Sequence, residues 1–164
     1  MTATEFATAV LAIRDALVAN FKTEMPSETE VIDRFILPGT IDESQWVAAL
    51  RTDNVIRKLI VLMPQLDLGL LANTNAGANF SPQVTFGLEL YHEYKVGTDS
   101  ENTEEAFLED ASKVIYTLGK YRALPSQTLI TRASLKLGIR PSKVQSLHAG
   151  KGSVTVDLRN LKYT

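Results

Sequence analysis

The spacing of its apolar residues constrains the fold of this chain more than any other feature, because two helical repeats flank a strand repeat. Apolar side chains recur at intervals of four, three, four and four residues and predict a helix over about 5–21. A second series, at intervals of four, three, four and three, predicts a helix over about 103–121. Between them, residues 84–94 carry apolar side chains at nearly every second position, which predicts a strand with one apolar face.

Three further segments have the composition of strands. Lys58–Met63 is aliphatic almost throughout, which is typical of a strand buried on both faces. Apolar and polar residues alternate over about 129–140 and again over about 152–161, and we expect these two strands to pair. A loop of about ten residues joins them, and Gly150-Lys151-Gly152 at its end predicts a tight turn.

Four strands and two helices, each with one apolar face, can bury those faces against one another as a two-layer sandwich. The predicted fold is therefore α+β, with a mainly antiparallel four-stranded sheet and two helices on one of its faces. The length of 164 residues predicts a single domain over 1–164, with a long excursion at about 23–57. Asp42 begins a short predicted helix within this excursion, and the helix carries Trp46, the only tryptophan.

The composition excludes several kinds of function. The chain has no cysteine, so disulfides, thiolate zinc sites and thiol nucleophiles are excluded. A formal net charge of −2 gives no basic footprint for double-stranded nucleic acid, so at most an indirect contact with DNA is expected. The longest aliphatic run, Leu59–Met63, is far shorter than the ~20 residues that span a bilayer. The N-terminus has no basic stretch before its apolar residues, which predicts a cytoplasmic product that contacts no membrane.

No residue cluster has the pattern of a catalytic, cofactor or metal site. Gly150-Lys151-Gly152 resembles part of a phosphate-binding loop, but the upstream glycine is missing and a strand follows it. The acidic stretch at 99–104 lacks the glycine and the final glutamate of a calcium loop. His92 lies in the apolar row of the strand at 84–94 and is either a satisfied histidine or a general base, while His148 is far away in sequence. The sequence predicts no enzyme, no cofactor and no metal, and leaves open a carboxylate pair from distant segments.

The sheet face opposite the two helices is expected to carry mixed charges and one aromatic side chain. Such a face is either a solvated face, which is normal in antiparallel sheets, or a subunit interface. Trp46 also has two interpretations, first as an anchor that holds the excursion to the body and otherwise as an interface residue. The candidate interface residues are Trp46, Glu89, Tyr91, Glu93, Lys136, Arg140 and Arg159.

The order helix, long connection, two strands, helix, two strands resembles that of the phage tail terminator and head–tail joining (neck) proteins. The resemblance covers most of the chain and rests on the ranges 5–21, 58–63 with 83–94, 103–121, and 129–140 with 152–161. It implies a structural virion protein of the tail or neck, assembled in the host cytoplasm, that forms a hexameric ring. Its implied partners are the tail tube protein and the head connector or stopper protein, and it implies no catalytic residues and no cofactor.

Two other classes stay open beside this resemblance. One is another neck protein or an adaptor of a contractile injection machine. The other is a small cellular α+β domain, either an enzyme or a ligand-binding domain, with its pocket between the helices and the sheet. Oligomeric state separates these classes, because a ring-forming protein is not a monomer.

Overall fold

The computed structural model describes residues 3–33, 43–52, 55–67, 83–94, 100–141 and 146–158. None of the helices within these residues combines the length and the apolar character that crossing a bilayer requires. In the same residues the chain forms three helices and six strands, in this order: α1 (Ala3–Glu24), β1 (Glu30–Ile32), α2 (Glu43–Ala49), β2 (Arg57–Asp67), β3 (Gln83–Glu93), α3 (Ser100–Lys120), β4 (Ala123–Leu124), β5 (Thr128–Arg140) and β6 (Leu147–Asp157).

The elements predicted from apolar spacing are all present, with different ends. The first helix continues to Glu24, where the Met25 N–H donates to the Phe21 carbonyl at 2.8 Å and Pro26 follows. The short helix of the excursion is confirmed as α2. The third strand keeps its predicted alternation, since its inward residues are buried and most of the intervening ones are half-buried. Local periodicity therefore located the long elements.

The predicted sheet was wrong. The fold is α+β, but it has three helices and a six-stranded mixed sheet curled into a half-barrel, instead of a four-stranded antiparallel sheet with two helices. The strand order is β1-β2-β3-β6-β5-β4, and β1 runs parallel to β2. The two strands missing from the prediction, β1 and β4, have three and two residues, which is too short for any periodicity to reveal.

The predicted excursion at 23–57 contains β1 and the crossover that leads from β1 to its parallel neighbour β2. Antiparallel neighbours can be joined by a tight turn, whereas parallel neighbours need a long connection that usually contains a helix. Here the chain leaves β1 at Ile32, passes through α2, and returns to pair Glu30 with Lys58 and Ile32 with Ile60. Within the excursion, β1 therefore belongs to the sheet, and α2 packs on one face of the sheet.

The main core lies between one face of the sheet and the two long helices. The inward row of β3 and the apolar stripe of α3 share this core, as the sequence predicts, and α1 packs against the same side. Its fully buried side chains include Ile13, Phe21, Leu59, Val61, Val84, Phe86, Leu90, Val114, Val154 and Val156. Both predicted helices therefore cover the same sheet face.

A second core covers part of the opposite sheet face. The sequence predicts that this face is either solvated or a subunit interface. The buried residues of this second core alternate along β2 and β3 with those of the main core, and Val47 of α2 and Leu50, just after α2, belong to it. Tyr91 is the largest side chain in this core, which also holds Ile56, Ile60 and Leu147. The sheet is consequently covered by helices on both faces over its β2–β3 half.

The predicted glycine turn at Gly150-Lys151-Gly152 is also wrong, because these residues lie inside β6. Gly150 pairs with Leu137 and Gly152 with Leu135 of β5. A Cβ atom on Gly152 would lie 2.0 Å from the Ser134 carbonyl oxygen, closer than any real contact. Glycine is therefore required at 152 by the close approach of β5, and the connection between the two strands lies at 141–146.

We predict that Gly152→Ala lowers the free energy of unfolding by about 1–3 kcal/mol, because the added methyl group forces β5 and β6 apart. Gly138→Ala in β5 is the matched control, since nothing lies within 4 Å of the Cβ that it adds. Urea unfolding of both variants measures the difference. Equal stability of the two variants would contradict the close approach at Gly152.

Candidate functional site

Sequence spacing places one acidic residue, Asp110, on the buried face of α3. Asp110 follows Phe107 by three positions and precedes Val114 by four, so the helix directs it towards the sheet with these two apolar side chains. Its side chain is 0% exposed. His92 occupies the equivalent inward position on β3, where alternation continues the row of Leu90. A carboxylate and an imidazole therefore meet inside an otherwise apolar layer.

Asp110 is the centre of a buried polar cluster that joins four segments of the fold. Its Oδ2 accepts hydrogen bonds from Thr29 Oγ1 at 2.6 Å and from His92 Nε2 at 2.8 Å. Arg57, at the start of β2, donates to both oxygens, from Nε at 3.0 Å and from Nη2 at 2.9 Å. The bidentate geometry of this ion pair is the strong form of a charge-assisted hydrogen bond. The cluster satisfies a charge that would otherwise be costly to bury.

The ionisation of Asp110 follows from these contacts. Burial by itself raises the pKa of this carboxyl, but the hydrogen bonds from His92, Arg57 and Thr29 outweigh it and lower the pKa to about 2. The carboxylate is therefore charged at neutral pH. Asp110 thus contributes stability above its unfolded pKa of about 3.8, and this contribution is lost as the pH falls from there to about 2.

This cluster has the residue types of a catalytic dyad but not its accessibility. A general acid or base must reach the proton that it transfers. His92 is 3% exposed and Asp110 is fully buried, and the ring of Phe107 packs edge-on against His92 with 5.4 Å between centroids. Of the two interpretations of His92, the geometry favours the satisfied, structural histidine.

His148 lies beside the cluster and has an unmet hydrogen bond. It is directly opposite His92 in the pairing of β3 with β6, and its ring stacks on Phe107 with 5.1 Å between centroids. Tyr94 packs edge-on against its other side at 4.9 Å. His148 is 5% exposed, and its Nε2 has no partner within the described residues. Burial lowers the pKa of His148 and so favours its neutral form, while Glu104 acts weakly in the opposite direction.

An apolar groove begins at His148 and runs between α3 and β5, and we refer to it as the α3–β5 groove. Its two ends hold volumes of about 260 and 400 Å³, and they share Leu108 and Leu137 as walls. Four of its large apolar side chains are 44–58% exposed. The groove is formed chiefly by Leu108, Ser112, Ile115, Leu135, Leu137 and Ile139.

The groove ends at an open strand edge. On one side β5 pairs with β6 along its whole length, and on the other it pairs with β4 only through Thr128 and Leu129. Among the described residues, Thr131–Arg140 has no strand partner on that outer side. An edge strand with apolar side chains is a template for pairing with another chain. The groove and the edge together form an exposed apolar surface that includes Leu108, Ile115, Leu137 and Ile139.

Of the predicted interface residues on the middle strands, Tyr91 is buried, whereas Glu89 and Glu93 are half-buried. Tyr91 is 1% exposed in the second core, and its hydroxyl donates to Glu89 Oε2 at 3.0 Å. Burial, and then the charge of Glu89, raise the pKa of Tyr91. Glu89 also lies 3.4 Å from Lys151, on the neighbouring strand. In the isolated chain Tyr91 therefore packs under α2 and is not on the surface, while Glu93 is half-buried at the end of β3.

The remaining predicted residues lie elsewhere. Lys136 is exposed on β5, and Arg140 is half-buried beside the Tyr91 hydroxyl. Trp46 lies within α2, but its side chain is outside the described part of the structure, and Arg159 lies outside the described residues. The structure therefore brings Glu89, Tyr91 and Arg140 together and leaves Lys136 at the open edge.

Of the polar cluster, the sequence pattern singled out His92 but not Thr29, Arg57 or Asp110, and it did not indicate the groove. The position of Asp110 on the apolar stripe of α3 could have indicated that it is buried. No sequence pattern indicates a role for Arg57, which is the first residue of a strand. The groove residues of β5 were assigned to the apolar face, yet α3 leaves them uncovered. In the described residues no group of three His, Asp or Glu side chains is arranged to hold a metal ion. Comparison with protein-family models and with curated proteins gives no match.

We predict that Asp110→Asn lowers the free energy of unfolding by about 3–5 kcal/mol, because it leaves the Arg57 guanidinium without its buried counter-charge. Glu109→Gln is the control. Glu109 is the neighbouring residue, it is 56% exposed, and it forms a surface ion pair with Lys113. That change is expected to cost less than about 0.5 kcal/mol. Urea unfolding at pH 7 distinguishes the two, and a small loss for Asp110→Asn would contradict the role of the cluster.

We predict that the wild-type protein loses stability as the pH falls below 6.5, the ordinary pKa of histidine, partly through His148. The unfolded chain binds a proton there, whereas the folded chain resists protonation of the buried ring until a lower pH. In His148→Phe this part of the loss disappears, so the difference in unfolding free energy between pH 7.5 and 5.5 becomes smaller. Identical differences in the two proteins would show that His148 is protonated freely in the fold.

Proposed function

We propose that this chain is a structural subunit that assembles into a closed ring at the neck of a phage tail, between the tail tube and the head connector, and that it catalyses no reaction. The exposed α3–β5 groove with its open strand edge carries the proposal. A monomeric soluble protein rarely exposes a contiguous apolar patch of this kind unless the patch binds a partner. A ring subunit must offer such a surface to its neighbour.

The order of elements supports the neck-protein assignment. The sequence helix, two strands, helix, two strands, on which the resemblance rests, is kept as α1, β2–β3, α3 and β5–β6. The additional β1, α2 and β4 extend the sheet and cover it, without interrupting this order. In the family that the chain resembles, the rings are hexameric and stop the growth of the tail tube.

The buried cluster around Asp110 also favours a structural role. Its side chains hydrogen-bond to one another across four segments, Thr29, His92 and Asp110 are buried and Arg57 is 19% exposed, and none of the four lines the groove. A catalytic site would need at least one of these groups at a surface that a substrate can reach. The accessible surface is instead apolar along α3 and β5.

A ligand-binding domain is the second candidate, because His148 lines the smaller end of the groove with its Nε2 unpartnered. A small molecule with an apolar body and one hydrogen-bonding group would fit such a site. Thermal-shift screening separates the two candidates. A stabilising small molecule together with a monomer at all concentrations favours the ligand-binding domain, whereas concentration-dependent assembly favours the ring.

We predict that the double variant Leu137→Ser with Ile139→Ser weakens self-association at least about tenfold while the subunit stays folded, because both side chains are already half exposed in the monomer. Val55→Ser is a control, since Val55 is 51% exposed and lies outside the groove. Light scattering over a range of protein concentrations measures the association, and circular dichroism the fold. Unchanged association of the double variant would contradict assembly through the groove.

Assembled particles test the location directly. The proposal requires the protein in purified virions, at a copy number that forms a ring, and tails of abnormal length when it is missing. Its absence from virions would contradict the neck assignment, and normal tails built without it would contradict the terminator role.

A further inference from the structure

The charges of this chain are separated along its sequence. Residues 122–156 contain six of the 17 Lys and Arg residues and none of the 19 Asp and Glu residues. The rest of the chain therefore holds 11 basic and 19 acidic residues. Because residues 122–156 form β4, β5 and β6, the structure places this basic segment at one side of the sheet.

The basic side chains of β5 line one face of the open edge. Arg132, Lys136 and Arg140 recur at every fourth position and so lie on one face of the strand, while Leu137 and Ile139 lie on the other. Arg140 is beside the Tyr91 hydroxyl, whereas Arg132 and Lys136 are exposed. We refer to Arg132 and Lys136 with the strand that carries them as the basic β5 edge. It combines a positive face with an apolar one.

The opposite side of the sheet carries outward-facing carboxylates. The Asp15 side chain on α1 is 65% exposed and that of Asp33, just after β1, is 44% exposed. Arg14 lies between them, 2.8 Å from Asp15 and 3.8 Å from Asp33, but it is only 13% exposed. Glu30 on β1 is likewise more exposed than Lys58, with which it pairs. Arg14 and Lys58 are less exposed than the carboxylates with which they pair, and Lys22 is the one exposed cation that lines the adjoining groove. Three exposed carboxylates against this one lysine leave the described surface negative, and we refer to it as the acidic α1–β1 edge.

An apolar side chain accompanies these carboxylates. Leu11 lies one helical turn before Asp15 on α1 and is 44% exposed. Val18 and Ala19 of the same helix form a shallow groove with Val31 and Ile32 of β1, and the groove is bordered by Asp15, Asp33 and Lys22. The acidic α1–β1 edge thus offers apolar contacts bordered by negative charge, complementary to the apolar and positive surface of β5.

We infer that the basic β5 edge of one copy docks on the acidic α1–β1 edge of the next copy. This contact rests on the proposed ring and names the two surfaces that form it. The two edges lie at opposite ends of the strand order, so one copy can use both at once. A contact between two different surfaces is heterologous, and it closes into a ring when the rotation between neighbours is suitable.

The apolar row of β5 favours a protein over a nucleic acid as the occupant of this edge. Phosphate contacts would use the basic residues but would leave Leu137 and Ile139 exposed to water. Edge strands often carry lysine to prevent unwanted pairing, so an edge lined with Arg132 and Lys136 admits only a partner that supplies negative charge. The chain itself supplies that charge at its other edge.

A charge-exchange experiment tests the contact. One variant carries Arg132→Glu and Lys136→Glu, and the other carries Asp15→Lys and Asp33→Lys. Each variant alone places like charges across every contact, and we expect its self-association to fall at least about tenfold at low salt. In an equimolar mixture every contact between unlike variants pairs opposite charges, so assembly returns with alternating subunits. Native mass spectrometry reads equal numbers of the two variants in the restored assembly.

The exposed ion pair of Glu109 and Lys113 on α3 supplies the control, because Glu109→Lys with Lys113→Glu exchanges charges away from both edges and should leave assembly unchanged. Circular dichroism verifies that each variant is folded. If both edge variants assembled as strongly as the wild type, the inferred contact would be overturned but the proposed ring would not. The same holds if the variants are impaired and mixing them does not restore assembly.

Two further outcomes are decisive. A wild-type protein that stays monomeric at every concentration, with no alternating assembly in the mixture, contradicts both the contact and the ring. Loss of affinity for a 20-base-pair DNA duplex in the Arg132→Glu, Lys136→Glu variant, with unchanged self-association, would assign the edge to nucleic acid instead and overturn the inference.

Discussion

The rest of this fold depends on the hydrogen bonds and the ion pair that the buried carboxylate of Asp110 forms. A charge without exposure to water is tolerated only when donors surround it, and here the donors come from Thr29, Arg57 and His92. These residues belong to the segment before β1, to β2 and to β3, so all of them must reach α3 together. A small rotation of α3 would separate the carboxylate from its donors while the apolar contacts could still adjust. The cluster therefore fixes the rotation of the helix over the sheet more strictly than apolar packing does.

The position of α3 then decides which part of the sheet stays uncovered. With Asp110 held over β2 and β3, the helix leaves the outer half of β5 open, and α2 covers the opposite face only around Tyr91. The apolar row of β5 consequently forms one wall of a groove, with Leu108 and Ile115 of α3 as the other. The exposed groove is thus a direct consequence of where the polar cluster anchors the helix.

Charge makes the two ends of the curled sheet chemically different. The sheet is curled, with β1 near one end and β5 near the other, and the two ends differ in charge. The carboxylates of Asp15 and Asp33 shield Arg14, whereas Arg132 and Lys136 extend from the opposite edge. Electrostatic complementarity of this kind selects partner and orientation more than it adds affinity. The proposed head-to-tail contact pairs the two unlike edges, whereas a symmetric dimer would bring like edges together.

The sequence by itself determined the elements whose residues repeat with a period. The stripes of α1 and α3 and the alternation of β3 are local properties, and they placed these elements and the shared core around Phe86. Sequence also determined that no cysteine chemistry is available. For the site, it identified Lys136 as a surface candidate, but it also proposed Tyr91, which the second core buries.

Only the tertiary structure decided the rest, because it depends on residues that are distant in the chain. The parallel pairing of β1 follows from the crossover through α2, and three residues carry no periodic signal of their own. Glycine at 152 is explained by the Ser134 carbonyl of a neighbouring strand and not by a turn. Asp110 acquires its partners from 18 to 81 positions away. Periodicity reports which side of an element is buried, whereas the identity of the neighbour that buries it is fixed only when the whole chain has folded.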